Sequence, residues 1–215
     1  MMSLKEYANI IAAVVVLTVV GGFAFAIGGE WPKVAQMFLF AVIIIFVSIF
    51  AKKTMAYLLD ADIEHSIIKF SQYGFRPGCR LKKEIPAGII FPLIISLFSL
   101  GFFKLPALLS YETQALKRRA AKRFGFYSFT EMTEWHNALI GAAGIVAVLI
   151  IAVVTYFLPA NFEYLAKIAI YYAFANMLPA VFINTDGTQI FFGSKVLYTA
   201  LAVITLIFFA YAVIL

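Results

Sequence analysis

The chain has 215 residues, 64% of them hydrophobic and 13% charged, with a formal net charge of +6 and a mean hydropathy of +0.97. Soluble domains hold roughly 45–50% apolar and about 25% charged residues, so this composition excludes one and predicts a polytopic membrane protein with a single domain over 1–215. A lone cysteine, Cys79, excludes an intramolecular disulfide framework, and basic residues beside apolar runs point to lipid headgroups and exclude nucleic acid as the partner.

In chain order, the apolar run 10–27 predicts a first transmembrane helix, closed by Gly28-Gly29-Glu30-Trp31-Pro32, a turn whose tryptophan suits a headgroup interface. A second run, 34–50, stops at Lys52-Lys53. Over 55–70, apolar residues interleave with Asp60, Asp62, Glu64, His65 and Ser66, which reads as an amphipathic helix whose acids pair with Lys52, Lys53, Lys69 or Lys82. Tyr73-Gly74-Phe75-Arg76-Pro77-Gly78 ends that helix. The next apolar run, 86–111, contains Pro86, Gly88, Pro92, Gly101 and Pro106. Lys52, Lys53, Lys69, Arg76, Arg80, Lys82 and Lys83 precede its body, and Lys117, Arg118, Arg119, Lys122 and Arg123 follow it. A simple crossing would place these two basic clusters on opposite sides, against the positive-inside bias, whereas a re-entrant, Gly/Pro-broken segment keeps both cytoplasmic. Runs over 138–158, over 164–181 (interrupted by Asn176 and Pro179) and over 196–215 complete the chain. The expected fold is all-α: a transmembrane helical bundle of about five to six membrane segments, one of them re-entrant or broken.

The sharpest chemical feature is the group of ionisable residues at 60–65, because charges at membrane depth are costly and face a cavity, a partner or a substrate path. At helical spacing Asp62, His65 and Ser66 share a face, and i, i+4 is also the spacing that sets the two zinc-binding histidines of H-E-x-x-H side by side. Asp186-Gly187 forms a turn between two apolar runs, and Asn176 and Pro179 ahead of it would unwind a helix end and aim polar groups inward. His136 reads as an interfacial cap, and no P-loop or Ser-His-Asp order is present.

Taken in order, Asp62-Ile63-Glu64-His65-Ser66, Tyr73-Gly74, Pro86-Ala87-Gly88, Ala138-Leu139-Ile140-Gly141-Ala142, Asn176-Met177-Leu178-Pro179 and Asp186-Gly187 resemble the site-2 protease family of intramembrane zinc metalloproteases. The resemblance covers about 54–200. It implies a membrane-embedded core in which Asp186 stands at the position of the family's third zinc ligand and Ser66, Asn176, Pro179 and Gly187 belong to the structural frame or the substrate groove. Asp62 and Ser66 replace the family's two histidines, and Ile63 its catalytic glutamate. The implied protein is a non-catalytic relative without a cofactor, bound to lipids and to transmembrane segments or a membrane complex. Two alternatives stand beside it: a zinc-dependent intramembrane endopeptidase using Asp62, His65 and Asp186 as ligands, and a small transporter or channel with an acidic path.

Overall fold

A computed structural model describes residues 3–72, 80–102, 104–106, 108–116, 132–159, 162–179 and 184–214. The turn expected at 73–78, Cys79 and the second basic cluster lie outside these residues. The chain forms α1 (Leu4–Ile27), α2 (Trp31–Leu58), β1 (Ala61–Ile67), β2 (Phe70–Gln72), β3 (Arg80–Ile85), α3 (Ala87–Phe98), β4 (Leu109–Ala115), α4 (Glu134–Tyr156), α5 (Glu163–Met177), α6 (Asp186–Gly193) and α7 (Lys195–Ile214). Among the described residues α1, α2, α4 and α7 are long and apolar enough to cross a bilayer, so the protein is an integral membrane helical bundle. The run expected over 164–181 forms a helix of only 15 residues, because Leu178 turns extended ahead of Pro179.

Ser3 caps α1, accepting a hydrogen bond from the Glu6 N–H at 3.1 Å. The turn to α2 uses Gly29 at φ 74°, a left-handed position that favours glycine, and Pro32 falls in the first turn of α2, where no N–H is needed. The inner faces of α1, α2, α4 and α5 build one core around Leu17, Val20, Ile44, Ile45, Val148 and Ile168. Phe38, Leu39, Phe46, Phe50, Ile150 and Val154 stay exposed, as a lipid-facing surface requires.

Two corrections concern 50–70. The second helix does not stop at Lys52-Lys53 but runs on to Leu58, since each lysine finds a carboxylate from another part of the chain (below). The amphipathic helix over 55–70 is not formed. Asp60 enters the left-handed region at φ 54° and breaks the helix, and 61–67 is a strand in which Ala61, Ile63 and His65 are buried while Asp62 and Glu64 are exposed. That period of two outranks the helical reading. β1 pairs antiparallel with β4, Ala61 opposite Ala115 and His65 opposite Tyr111, and β2 pairs with β3. The helical bundle thus carries two small two-stranded sheets at one end.

The outer edges of the β1–β4 pair are closed by side chains. On β1, the His65 N–H donates to Glu6 at 3.3 Å, and Asn9 donates to the His65 carbonyl at 3.3 Å, both from α1. On β4, Gln189 of α6 donates to the Tyr111 carbonyl at 2.9 Å. Open strand edges offer unpaired backbone groups, and these three side chains occupy them.

The segment from α3 to β4 leaves the sheet end of the bundle and comes back to it. At its start, the Gly88 N–H donates to the Ile68 carbonyl at 2.9 Å; at its finish, the Leu108 carbonyl accepts the Ile68 N–H at 3.2 Å. Between those points Gly101 packs on Phe23 and Ala24 near the far end of α1, and Lys104 donates to the Tyr164 hydroxyl at 2.8 Å.

Candidate functional site

Beneath the sheets, two ion pairs join sequence-distant elements. Lys52 and Asp186 approach to 2.6 Å with both side chains only 1% exposed. Asp186 is the first residue of α6, next to the capping Thr185, whose hydroxyl accepts the Thr188 N–H at 3.2 Å and donates to the Leu178 carbonyl at 2.9 Å. A carboxylate there is favoured by the helix dipole and by the ammonium. The aliphatic stem of Lys52 crosses the face of α4 at Gly144, where any Cβ would run into it, and its ammonium lies 5.1 Å from the centre of the Tyr111 ring. The Tyr111 hydroxyl donates to the Asn137 carbonyl at 2.6 Å, and burial, with the Asp186 charge second, holds its pKa well above the usual tyrosine value. Gly187 lies directly on the Met177 backbone, so α6 docks against the end of α5.

The second pair sits one step toward the sheet. Lys53 contacts Glu6 at 2.8 Å, and the same carboxylate accepts from His65 Nδ1 at 3.0 Å. Burial, aided by the Lys52 and then the Lys53 charge and opposed by Glu6, pushes the His65 imidazole down to about 4. The ring is therefore neutral at pH 7, with Nδ1 carrying the proton toward Glu6. Nε2 is buried without a hydrogen-bond partner among the described residues.

The residues singled out from sequence separate into two groups. Asp186, Gly187, Asn176 and His65 are buried, Asp186 against Lys52, His65 opposite Tyr111 and Gly187 on Met177; Asn176 donates to the Tyr172 carbonyl at 2.9 Å. Asp62 and Pro179 are exposed, and Ser66 is half-buried. On a strand, Asp62 and His65 point to opposite faces, so they do not share the face that a helix would give them. Three of the expected lysines pair with other acids: Lys52 goes to Asp186, Lys53 to Glu6 and Lys69 to Glu84. Glu64 instead accepts a hydrogen bond from Ser3.

Glu6, Lys52 and Lys53 carry the site: the sequence reading passed over Glu6 and gave the two lysines to the acids of 60–65 in place of Asp186 and Glu6. A lysine after a long apolar run such as 34–50 ordinarily marks where a span leaves the membrane. The available signal was charge matching: Asp186, in an apolar setting, needs a buried cation, and Lys52 is four residues beyond Ser48, on the same face of α2.

Zinc does not fit this donor set. Of the ligands suggested by sequence, Asp186 is taken by an ammonium, Asp62 faces outward and His65 is bonded to Glu6. Among the described residues no three His, Cys, Asp or Glu side chains group closely enough to hold a metal ion. No family model matches the chain, and no curated protein and no solved structure matches it.

Proposed function

We propose that this is a non-catalytic membrane protein built on a site-2-protease-like frame, in which the ammonium of Lys52 stands where a hydrolytic relative would hold its metal. The observation that carries the reading is the buried Lys52–Asp186 pair. Ser48 and Lys52, both buried, lie one turn apart on α2, which is the spacing of the two histidines in H-E-x-x-H, and Asp186 comes to them from far along the chain. In this register the family's glutamate falls on Ile49. A fixed cation in place of a Lewis acid neutralises Asp186 and closes off the water-activating chemistry that needs an open metal position and a base. The outward and returning path of 87–108 supports a re-entrant segment, which would keep both basic clusters on the cytoplasmic face of a prokaryotic membrane.

What remains to such a frame is binding. Beside Thr185, an apolar cleft of about 190 Å³ runs between α3 and the end of α5, lined by Ile68, Phe91, Pro92, Ile95 and Leu178. Its apolar lining and size suit one or two side chains of a partner's transmembrane segment lying across it, held without being cut.

The experiment restores what is missing. In the double variant Ser48→His, Lys52→His, two imidazoles one turn apart join Asp186 as three ligands, and we expect stoichiometric zinc that disappears on adding Asp186→Ala. The unsubstituted chain, purified without chelator, is expected to carry none and to cleave no membrane substrate. A folded double variant that takes up no zinc would overturn the placement of the site. Stoichiometric zinc in the unsubstituted chain, lost in Asp186→Ala, would overturn the non-catalytic reading.

A further inference from the structure

At the end of the bundle away from the sheets, a cleft of about 600 Å³ opens between the last turns of α4, the first turns of α5 and the last turns of α7. Its floor is apolar and made partly of small side chains, including Ala152, Ala166 and Ala212, all buried. Val153 and Tyr156 line it while standing exposed, so it opens sideways where lipid would be. Its rim is polar. The hydroxyls of Tyr156 and Tyr211 lie 3.1 Å apart, and Lys167 and Glu163, one turn apart on α5, make an ion pair at 2.9 Å with 26% and 61% of their side chains exposed. Tyrosines and charges at the ends of spans mark the depth of lipid headgroups.

We propose that this cleft binds one phospholipid with a zwitterionic headgroup that ends in a primary ammonium, its acyl chain on the alanine floor. The phosphate lies against Lys167 and the tyrosine hydroxyls, and the ammonium against Glu163. The choice of headgroup follows from charge. An anionic lipid would meet Lys167 favourably but would bring its charge beside Glu163 as well. A headgroup carrying both signs matches both members of the pair, with charge-assisted hydrogen bonds at each end. A quaternary ammonium has no N–H to donate and loses one of those ends. The volume lies within the range of sites that hold one drug-sized ligand, room for a headgroup and part of one acyl chain, and the alanines let an extended chain approach the helix backbones.

The test uses the full chain in detergent micelles, titrated in parallel with phosphatidylethanolamine, phosphatidylglycerol and phosphatidylcholine and followed by native mass spectrometry. Phosphatidylethanolamine should be retained about tenfold more tightly than either, the scale of one charge-assisted contact. Glu163→Gln should reverse the order of ethanolamine and glycerol lipids by leaving Lys167 alone. Val153→Trp, at the exposed mouth and away from the core, should weaken retention of all three. Equal retention of the three lipids, an order unmoved by Glu163→Gln, or full retention in Val153→Trp would each overturn the proposal. So would a photo-crosslinker at position 156 that captures a protein segment and no lipid when the protein is in membranes.

Discussion

Replacing Lys52 by methionine keeps the length of the side chain and removes its charge, leaving the Asp186 carboxylate in a site where both partners are only 1% exposed. Its Oδ1 already lacks a hydrogen-bond partner among the described residues, so no polar group near at hand takes over from the ammonium. Losing one member of a buried pair costs about 3–5 kcal/mol, chiefly the cost of an uncompensated charge. For a chain of this size that is a fall in Tm on the order of 10 °C. Adding Asp186→Leu should recover most of the loss, because an apolar pair of similar volume replaces a buried ion pair at little net cost. Thermal unfolding of the two single variants and the double in one detergent gives the coupling directly. If Lys52→Met melts within a degree or so of the unsubstituted protein, or if the double variant loses the sum of the singles, the pair is not the buried, mutually dependent unit described above.

Stability should also depend on His65. Its imidazole is held at about 4 against about 6.5 in an unfolded chain, so the unfolded state takes up the proton first as pH falls. The stabilisation is complete above about pH 6.5 and disappears progressively toward pH 4, on the order of 3 kcal/mol in total; an unfolding series over that range should show the slope, and His65→Gln should flatten it. Gly187→Ala pushes a methyl group into the Met177 backbone and should cost on the order of 3 kcal/mol, measured as a lower Tm. Gln189→Ala uncaps the Tyr111 carbonyl and should cost about 1–3 kcal/mol, the penalty of a buried acceptor left unmet. Cysteine reporters introduced at positions 82 and 122 should react from the same side of a sealed vesicle, and reaction from opposite sides would refute the returning path of 87–108.

Span positions were legible because bilayer thickness imposes a minimum apolar length, which 10–27, 34–50, 138–158 and 196–215 meet. The strand over 61–67 was harder: Asp62, Glu64 and Ser66 alternate with Ala61, Ile63 and His65, yet Asp62, His65 and Ser66 also share one side of a helical wheel, and only the break at Asp60 decides between them. Asp186 could be singled out, since a carboxylate between apolar runs demands an explanation. Its partner was less legible: charge matching calls for a cation, and only the four-residue spacing from Ser48 separates Lys52 from its neighbour Lys53. One turns toward α6 and the other toward α1, a difference of about 100° around α2 whose outcome depends on which elements pack there.

The Lys52–Asp186 pair has a consequence for how the molecule is made. Between its two members the ribosome must deliver α3, α4 and α5, so α2 enters the membrane long before Asp186 exists. During that interval Lys52, near the end of its span, extends toward the headgroups, as lysine side chains at helix ends do. In the finished bundle it points inward to Asp186, with its stem against Gly144. The charge that orients α2 during insertion and the charge that fastens the finished bundle are then one side chain used at two times. A chain cut short before 186 would leave α1, α2 and α4 inserted with that lysine still at the membrane surface.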